Sequence, residues 1–300
     1  MAIKRIMLLG ATGQIGQAVR AQPLPGDWQL GVYGRAEFDA TDHQAMQSAI
    51  QTFKPDLIIN AAAMTAVDKC EIEQDAAMEA NFEAPAHLAV QCGAADIPLI
   101  HLSTDYVFDG TENRPYRTDD AMNPLSTYGQ SKMMGEESIR HELAWHVILR
   151  VSSVFSAFGT NLLTKTLQMI DERDELKIVT DQKSCPTPAQ DIAKAVVVMG
   201  DAILRGKSNG FGTFHFCGTP DVTRLEFVTD IMNAYAPYTA KRPKITPALS
   251  ADFPGFAQRP AYSSLDCSRI QEIYGLTQRP WRDGLAEAMD VLMHGKRKVA

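Results

Sequence analysis

The chain has 300 residues, 45% hydrophobic and 22% charged, with a formal net charge of −7. That is the composition of a globular protein long enough for two lobes, and its acidity argues against a nucleic-acid or anionic-membrane partner. No stretch approaches the ~20 apolar residues of a membrane span, and the apolar run 6–9 is too short for a signal sequence.

Residues 3–9 read as a buried strand ended by Gly10, followed by a helix over 13–22. "WQLGVY", 28–33, is a second strand, and 42–53 a helix with Asp42 as its N-cap. "DLIINAAA", 56–63, is a third strand. A long helix is expected over about 74–92, kinked or broken at Pro85, because proline lacks the N–H that a helix interior needs. Strands at 97–103 and 145–152 flank a helix over about 126–142. Beyond them the pattern gives a helix near 160–171, a strand at 176–180, a helix at about 188–204, a strand at 212–218 and a helix at 223–236. The proline-rich segment 237–262 should be extended and loop-like.

Apolar strands alternating with helices imply right-handed βαβ units. The expected class is α/β, a doubly wound, Rossmann-type parallel sheet with a smaller C-terminal substrate-binding lobe. Residues 1–155 are read as the dinucleotide-binding domain, part of 180–218 as completing its sheet, and 156–179 with 219–300 as the lobe. Cys70, Cys92, Cys185, Cys217 and Cys267 are scattered and form no CxxC, which fits a reduced, cytoplasmic protein.

"GATGQIG" places Gly10, Thr12, Gly13, Gln14, Ile15 and Gly16 between the first strand and its helix, the context of a dinucleotide fingerprint. The glycines permit a tight turn and a close backbone approach to a pyrophosphate at the helix start. The first charged residue after the second strand is Arg35, which suits the 2′-phosphate of NADPH, with NADH as the lesser partner. "LIHLSTDYVFDG" sets Ser103 and Thr104 at the carboxyl end of the fourth strand, the edge where ligands sit in such sheets. "STYGQSKMMGE" puts Tyr128 and Lys132 four residues apart, on one helix face. A phenol titrates near 10, and a cation beside it would bring it toward use as a general acid.

Hydrolase patterns fail. "HELAWH" has Trp145 where a zinc-protease motif needs its second histidine, "GKS" at 206–208 lacks its upstream glycine, and no GxSxG exists.

"GATGQIG", "NAAAMTAVDKCE", "STDYVFDG" and "YGQSK" occur in the order and spacing of the extended short-chain dehydrogenase/reductases. Within them the chain resembles the dTDP-4-dehydrorhamnose reductases, and "CPTPAQDIA" and "RPAYSSLD" also look like family segments. The resemblance implies reduction of a 4-keto sugar at C4 by a catalytic triad of Thr104, Tyr128 and Lys132, with Tyr128 giving the proton and Lys132 holding the nicotinamide ribose. It implies cofactor contacts at Asp39, Ala40, Ala62, Ala63 and Thr65, and substrate contacts at Val67, Thr104, Asp105, Tyr106 and Ser153. The partner it implies is a nucleotide-linked deoxy sugar, and it allows a homodimer.

The departures are specific. Ser153 stands where relatives often have Trp, with Tyr106, Phe155 and Phe158 as aromatics able to fill the space, and Met64 stands where His is common. Ala18 and Gln190 occupy the positions of acids that bridge a metal in some relatives, so no metal is expected. Two other functions compete: a reductase or epimerase of another nucleotide-linked 4-keto sugar, and a non-catalytic dinucleotide-binding regulatory subunit.

Overall fold

The structure is a computed structural model that describes residues 2–34, 37, 39–255 and 257–294. Strand and helix alternate through the first half as the apolar pattern requires. Strands β1 (Lys4–Leu9), β2 (Trp28–Tyr33), β3 (Leu57–Asn60), β4 (Leu99–Thr104) and β5 (His146–Val151) form five parallel members of one sheet. Between them run α1 (Gln14–Ala21), α2 (His43–Phe53), α3 (Val67–Ile72), α4 (Gln74–Met78), α5 (Ala84–Ala94) and α6 (Thr127–Glu142). Gly212–Phe216 adds the sixth strand, and the order is Gly212–Phe216, β5, β4, β3, β1, β2. The chain leaves β1 for β2 on one side and returns past it to β3 on the other. That reversal opens a crevice at the carboxyl ends of β1 and β3, the ligand position of a doubly wound sheet.

Local chemistry sets the element ends. Asp42 caps α2, accepting from Gln44 N at 3.1 Å and Ala45 N at 2.9 Å. β3 stops at Asn60, earlier than its apolar run suggests, because Ala61, Ala62 and Ala63 leave the sheet to line a cleft. The helix expected over 74–92 is broken at a π-helical turn, Glu79–Glu83, between α4 and α5. Pro85 has no N–H to offer four residues back, and the wider turn closes through Ala84 N to Glu79 O. That turn buries Asn81, whose amide accepts from Met64 N at 2.9 Å and donates to Met64 O at 3.0 Å. A proline break thus becomes a clamp on the loop after β3.

The second half adds α7 (Leu162–Glu172), α8 (Ala189–Leu204), α9 (Arg224–Tyr235), α10 (Ser268–Tyr274) and α11 (Trp281–Met293). Glu175–Val179 pairs in parallel with Lys244–Ala248, a strand inside the segment expected to be loop. Its backbone groups find a partner only once the chain has folded back on 175–179. α7, α9 and α11 close a separate core around Leu163, Phe227, Ile231 and Trp281. Leu265, Cys267 and Ile270 pack instead with the sheet, although 219–300 reads from the sequence as lobe. Arg279 latches the halves, with Nε 2.7 Å from Asp191 at the start of α8 and its Nη groups 2.8 and 2.6 Å from Glu287 of α11. All five cysteines are buried thiols, and no described helix is long and apolar enough to cross a membrane.

Candidate active site

A cleft of ≈ 610 Å³ opens at the carboxyl ends of β1 and β3. Gly10, Thr12 and Gly13 line it from the first turn, Asp39 and Ala40 from the segment after β2, and Ala62, Ala63 and Thr65 from the segment after β3. Gly10 has φ +71°, and a Cβ there would stand 2.5 Å from Ala62 N, so only glycine lets the turn meet the end of β3. α1 starts at Gly13 with no side chain capping its first N–H groups, an arrangement suited to a phosphate. The rest of the loop does not line the cleft. Gln14 Oε1 accepts from Ser156 Oγ at 2.9 Å, Ile15 packs on the sheet, and Gly16 sits against the Gly10 carbonyl, 2.2 Å from where its Cβ would be. These three hold the turn, because α1 must lie close to it. Arg35 lies outside the described residues. Glu37 is described, and its Oε2 accepts from Gly34 N at 2.6 Å.

α6 carries the Tyr–Lys pair. Ser126 caps it by accepting from Gly129 N at 3.2 Å, and Glu71 of α3 accepts from Thr127 N at 2.8 Å and Thr127 Oγ1 at 2.9 Å. Tyr128, Lys132 and Glu136 then recur every four residues on one buried face. Gly129 allows the close fit, since a Cβ there would stand 2.2 Å from Tyr106 O. Tyr128 packs edge-on to Tyr106, 5.8 Å between centroids, in a cluster with Cys70, Met64 and Val67. Thr104 stands at the end of β4, where its Oγ1 donates to Asp105 Oδ1 at 3.1 Å and accepts from Tyr106 N at 3.1 Å. Ser103 is buried one residue earlier and lines neither cavity.

The electrostatics correct one expectation. Burial pushes the Tyr128 phenol above its ordinary pKa, with the nearby Thr104 hydroxyl working the other way. Lys132 does not bring it down. Its Nζ is engaged with β4, 2.9 Å from His101 Nε2 and donating to Leu102 O at 2.7 Å. Burial lowers the amine to about 8, with Glu136 opposing.

The substrate residues separate into two groups. Tyr106 and Ser153 line a second, smaller cavity with Lys183, Arg224 and Pro260, and Val67 packs beside Tyr106. Ser153 has φ +43°, an unusual backbone for a residue with a Cβ, and its Oγ lies 2.6 Å from Ser184 Oγ. Asp105, expected to touch substrate, is buried. Its Oδ2 accepts from Ser152 at 2.8 Å and Ser263 at 2.6 Å, and burial pushes its carboxyl up to about 6. It ties the end of β4 to the residues after β5 and to the chain near 263. Phe155 is likewise committed, to the core of the second lobe.

Several site residues escape a sequence reading. Arg259 holds Asp68 through Nη2 at 2.9 and 2.8 Å. Both sit in segments marked as family-like, "TAVDK" and "RPAYSSLD", but nothing in one dimension pairs them. Arg224 follows Thr223, the N-cap of α9, and is half-buried near Tyr106 and Arg259. No carboxylate pairs with it among the described residues, and burial, with Arg259 adding to it, lowers its pKa. On β5, Arg150 meets Glu136 by Nε at 2.9 Å and Nη2 at 2.7 Å.

A parallel sheet that opens a glycine-edged cleft and sets its fourth strand against a Tyr–Lys helix is the plan of the extended short-chain dehydrogenase/reductases, and the chain is an oxidoreductase of that class. It belongs to the family of the RmlD substrate binding domain, whose model matches residues 4–294. It is 36% identical over 294 residues to the dTDP-4-dehydrorhamnose reductase of Sinorhizobium fredii, covering 97% of this chain and 99% of that one. It is 32% identical to methionine adenosyltransferase 2 subunit beta of Danio rerio, over 98% of this chain and 93% of that one. Among solved structures, the dTDP-4-dehydrorhamnose reductase of Bacillus anthracis in complex with NADP superposes with a TM-score of 0.85 at 28% identity, covering 95% of this chain and 98% of that one.

Proposed function

We propose that the chain reduces the C4 keto group of dTDP-4-dehydro-L-rhamnose to dTDP-L-rhamnose with NADPH, Tyr128 giving the proton. The observation that carries this reading is the place of Tyr128. It packs against Met64, which lines the dinucleotide cleft, and against Tyr106, which lines the second cavity. The cleft fits the cofactor, because Gly10 and Gly13 leave bare backbone beside the open start of α1. When bound, the reduced nicotinamide supplies a hydride. The protein's part is positioning and proton delivery. Lys132 holds the ribose, Thr104 hydrogen-bonds the substrate carbonyl oxygen, and the phenol, kept protonated by burial, donates to the alkoxide that forms. In this reading residues 1–155, with the part of 180–218 that completes the sheet, hold the dinucleotide, and most of the remainder holds the sugar.

The direct test is NADPH consumption with dTDP-4-dehydro-L-rhamnose. No consumption by protein that still binds NADPH would sink the reading. Ser153, which lines the second cavity where relatives often have Trp, favours one other substrate class, a different nucleotide-linked 4-keto sugar. The likeness to a protein named as a subunit, methionine adenosyltransferase 2 subunit beta, favours as a second reading a dinucleotide-binding regulatory subunit. Such a role has no need of Tyr128 and Lys132 one turn apart on a buried face of α6.

A nucleotide sugar brings a diphosphate, and Arg224, which lines the second cavity with no carboxylate paired to it among the described residues, is placed to meet it. Arg224→Ala should raise KM for the sugar nucleotide about 10–100-fold, the worth of one or two charge-assisted hydrogen bonds, while NADPH affinity stays unchanged. Equal loss for both ligands would place Arg224 in the fold rather than the site. Cofactor choice rests on the loop after β2. Arg35→Ala should shrink the NADPH preference about tenfold, and Glu37→Gln, which removes a carboxylate from that loop, should widen it. KM values for NADPH and NADH in the three proteins decide this, and unchanged ratios would clear both residues.

A further inference from the structure

Lys132 ends a chain of hydrogen bonds whose direction is fixed at its far end. Ala62 N–H, in the segment lining the cofactor cleft, donates to Asn60 Oδ1 at 3.0 Å. A backbone amide can only donate, so the Asn60 oxygen must face it and the NH₂ must face His101. Asn60 Nδ2 lies 3.1 Å from His101 Nδ1, which therefore accepts. A neutral imidazole that accepts at Nδ1 carries its hydrogen on Nε2. That Nε2–H points at Lys132 Nζ, 2.9 Å away. An ammonium has no lone pair to receive it, and an uncharged amine does. Lys132 meanwhile donates to Leu102 O at 2.7 Å.

We propose that Asn60 and His101 form a directed relay that favours the uncharged amine of Lys132 over its ammonium and couples its charge to the backbone at the floor of the cofactor cleft. Protonating Lys132 requires His101 to shift its hydrogen to Nδ1. Asn60 must then turn its oxygen to His101, which breaks the bond from Ala62 N–H. Movement of 61–63 as the cleft fills is therefore linked to the proton on the lysine. His101 and Asn60 are positioning residues that act through Lys132.

The surroundings agree. His101 is fully buried, and burial keeps the imidazole neutral, an effect that a charge on Lys132 would only add to. Lys132 is held near 8 by burial, against the pull of Glu136 one turn along α6. Glu136 is itself engaged by Arg150 from β5 and Arg140 from α6. The remaining polar groups nearby, Cys70 of α3 and Asp105 and Tyr106 beyond β4, act on Tyr128. The role of Lys132 in turnover rests on the proposed function, but its titration does not.

The test is the ¹³C titration of Lys132 in protein labelled at lysine Cε, with Lys132→Met identifying the resonance. Wild type should titrate near 8. Asn60→Asp offers a carboxylate to both Ala62 N–H and His101 Nδ1–H, so Nε2 becomes an acceptor and the lysine should titrate at least about one unit higher. In Asn60→Asp/His101→Phe that rise should mostly vanish. A rise that persists in full means the new charge acts through space, and the relay is wrong. Should Asn60→Asp fail to fold, His101→Gln, whose amide oxygen can face an ammonium, should also raise the titration, and an unchanged value overturns the proposal. A protein that shows these shifts yet does not reduce the sugar refutes the function and leaves the relay standing.

Discussion

Tyr128→Phe should cut turnover by about 10²–10⁴-fold, the usual worth of a general acid, while cofactor affinity stays nearly intact. Phe fills the same buried space and keeps the edge-on contact with Tyr106, and the ribose site assigned to Lys132 is untouched. Only the O–H is lost. Burial raises the phenol's pKa, so the wild-type group is fully protonated at neutral pH. That is the form a reductase needs, because a developing alkoxide is a strong base and takes a proton from an ordinary phenol readily. The same burial should make the reverse, oxidative direction slow at neutral pH and faster as pH rises, since that direction starts from the phenolate. Steady-state kcat in both directions and NADPH titration of the two proteins check this. Turnover within about threefold of wild type would remove Tyr128 from the proton transfer.

Arg150→Leu should destabilise the fold by about 3–5 kcal/mol, the loss expected when one partner of a buried ion pair goes and the other stays charged. Arg150 is 1% exposed and Glu136 fully buried. The guanidinium gives Glu136 bonds of 2.9, 3.2 and 2.7 Å, and its ring-facing side lies 5.0 Å over Phe108. Although burial opposes it, Arg150, with Arg140 adding to it, holds the Glu136 carboxyl below its ordinary range. His215 closes the group. Its Nδ1 donates to Tyr116 O at 3.0 Å, leaving Nε2 to accept from Arg150 Nη1 at 3.3 Å, and burial lowers it to about 3. Without Arg150 the carboxylate keeps, among the described residues, the half-exposed Arg140 as its ion-pair partner. Thermal unfolding should begin roughly 10 °C lower, and Glu136→Leu/Arg150→Leu should recover most of the loss. A drop below about 2 °C for the single variant would mean the pair is screened. Because Glu136 lies one turn beyond Lys132, the pair also fixes α6 on β5, and with it the register of Tyr128 and Lys132.

The sheet was legible because its inner strands β3, β4 and β5 are largely apolar runs buried on both faces, and such runs need no tertiary information to be recognised. Gly10 and the Tyr–Lys spacing were legible for a similar reason. Each is a local demand, one on backbone conformation and one on helical period. Pro85 also announced its break in advance, since a missing N–H is a property of one residue.

What only the tertiary structure decided is pairing at long range. Asp68 and Arg259 meet across nearly two hundred residues, and Lys244–Ala248 becomes a strand only beside Glu175–Val179. Asp105 looked like a substrate ligand until Ser152 and Ser263 filled its oxygens. Lys132 looked like the partner of Tyr128 until His101 and Leu102 took its nitrogen. The sequence names which groups can donate, accept or carry charge. Burial and the direction of each hydrogen bond decide which of them do, and both exist only after strands far apart in the chain lie side by side.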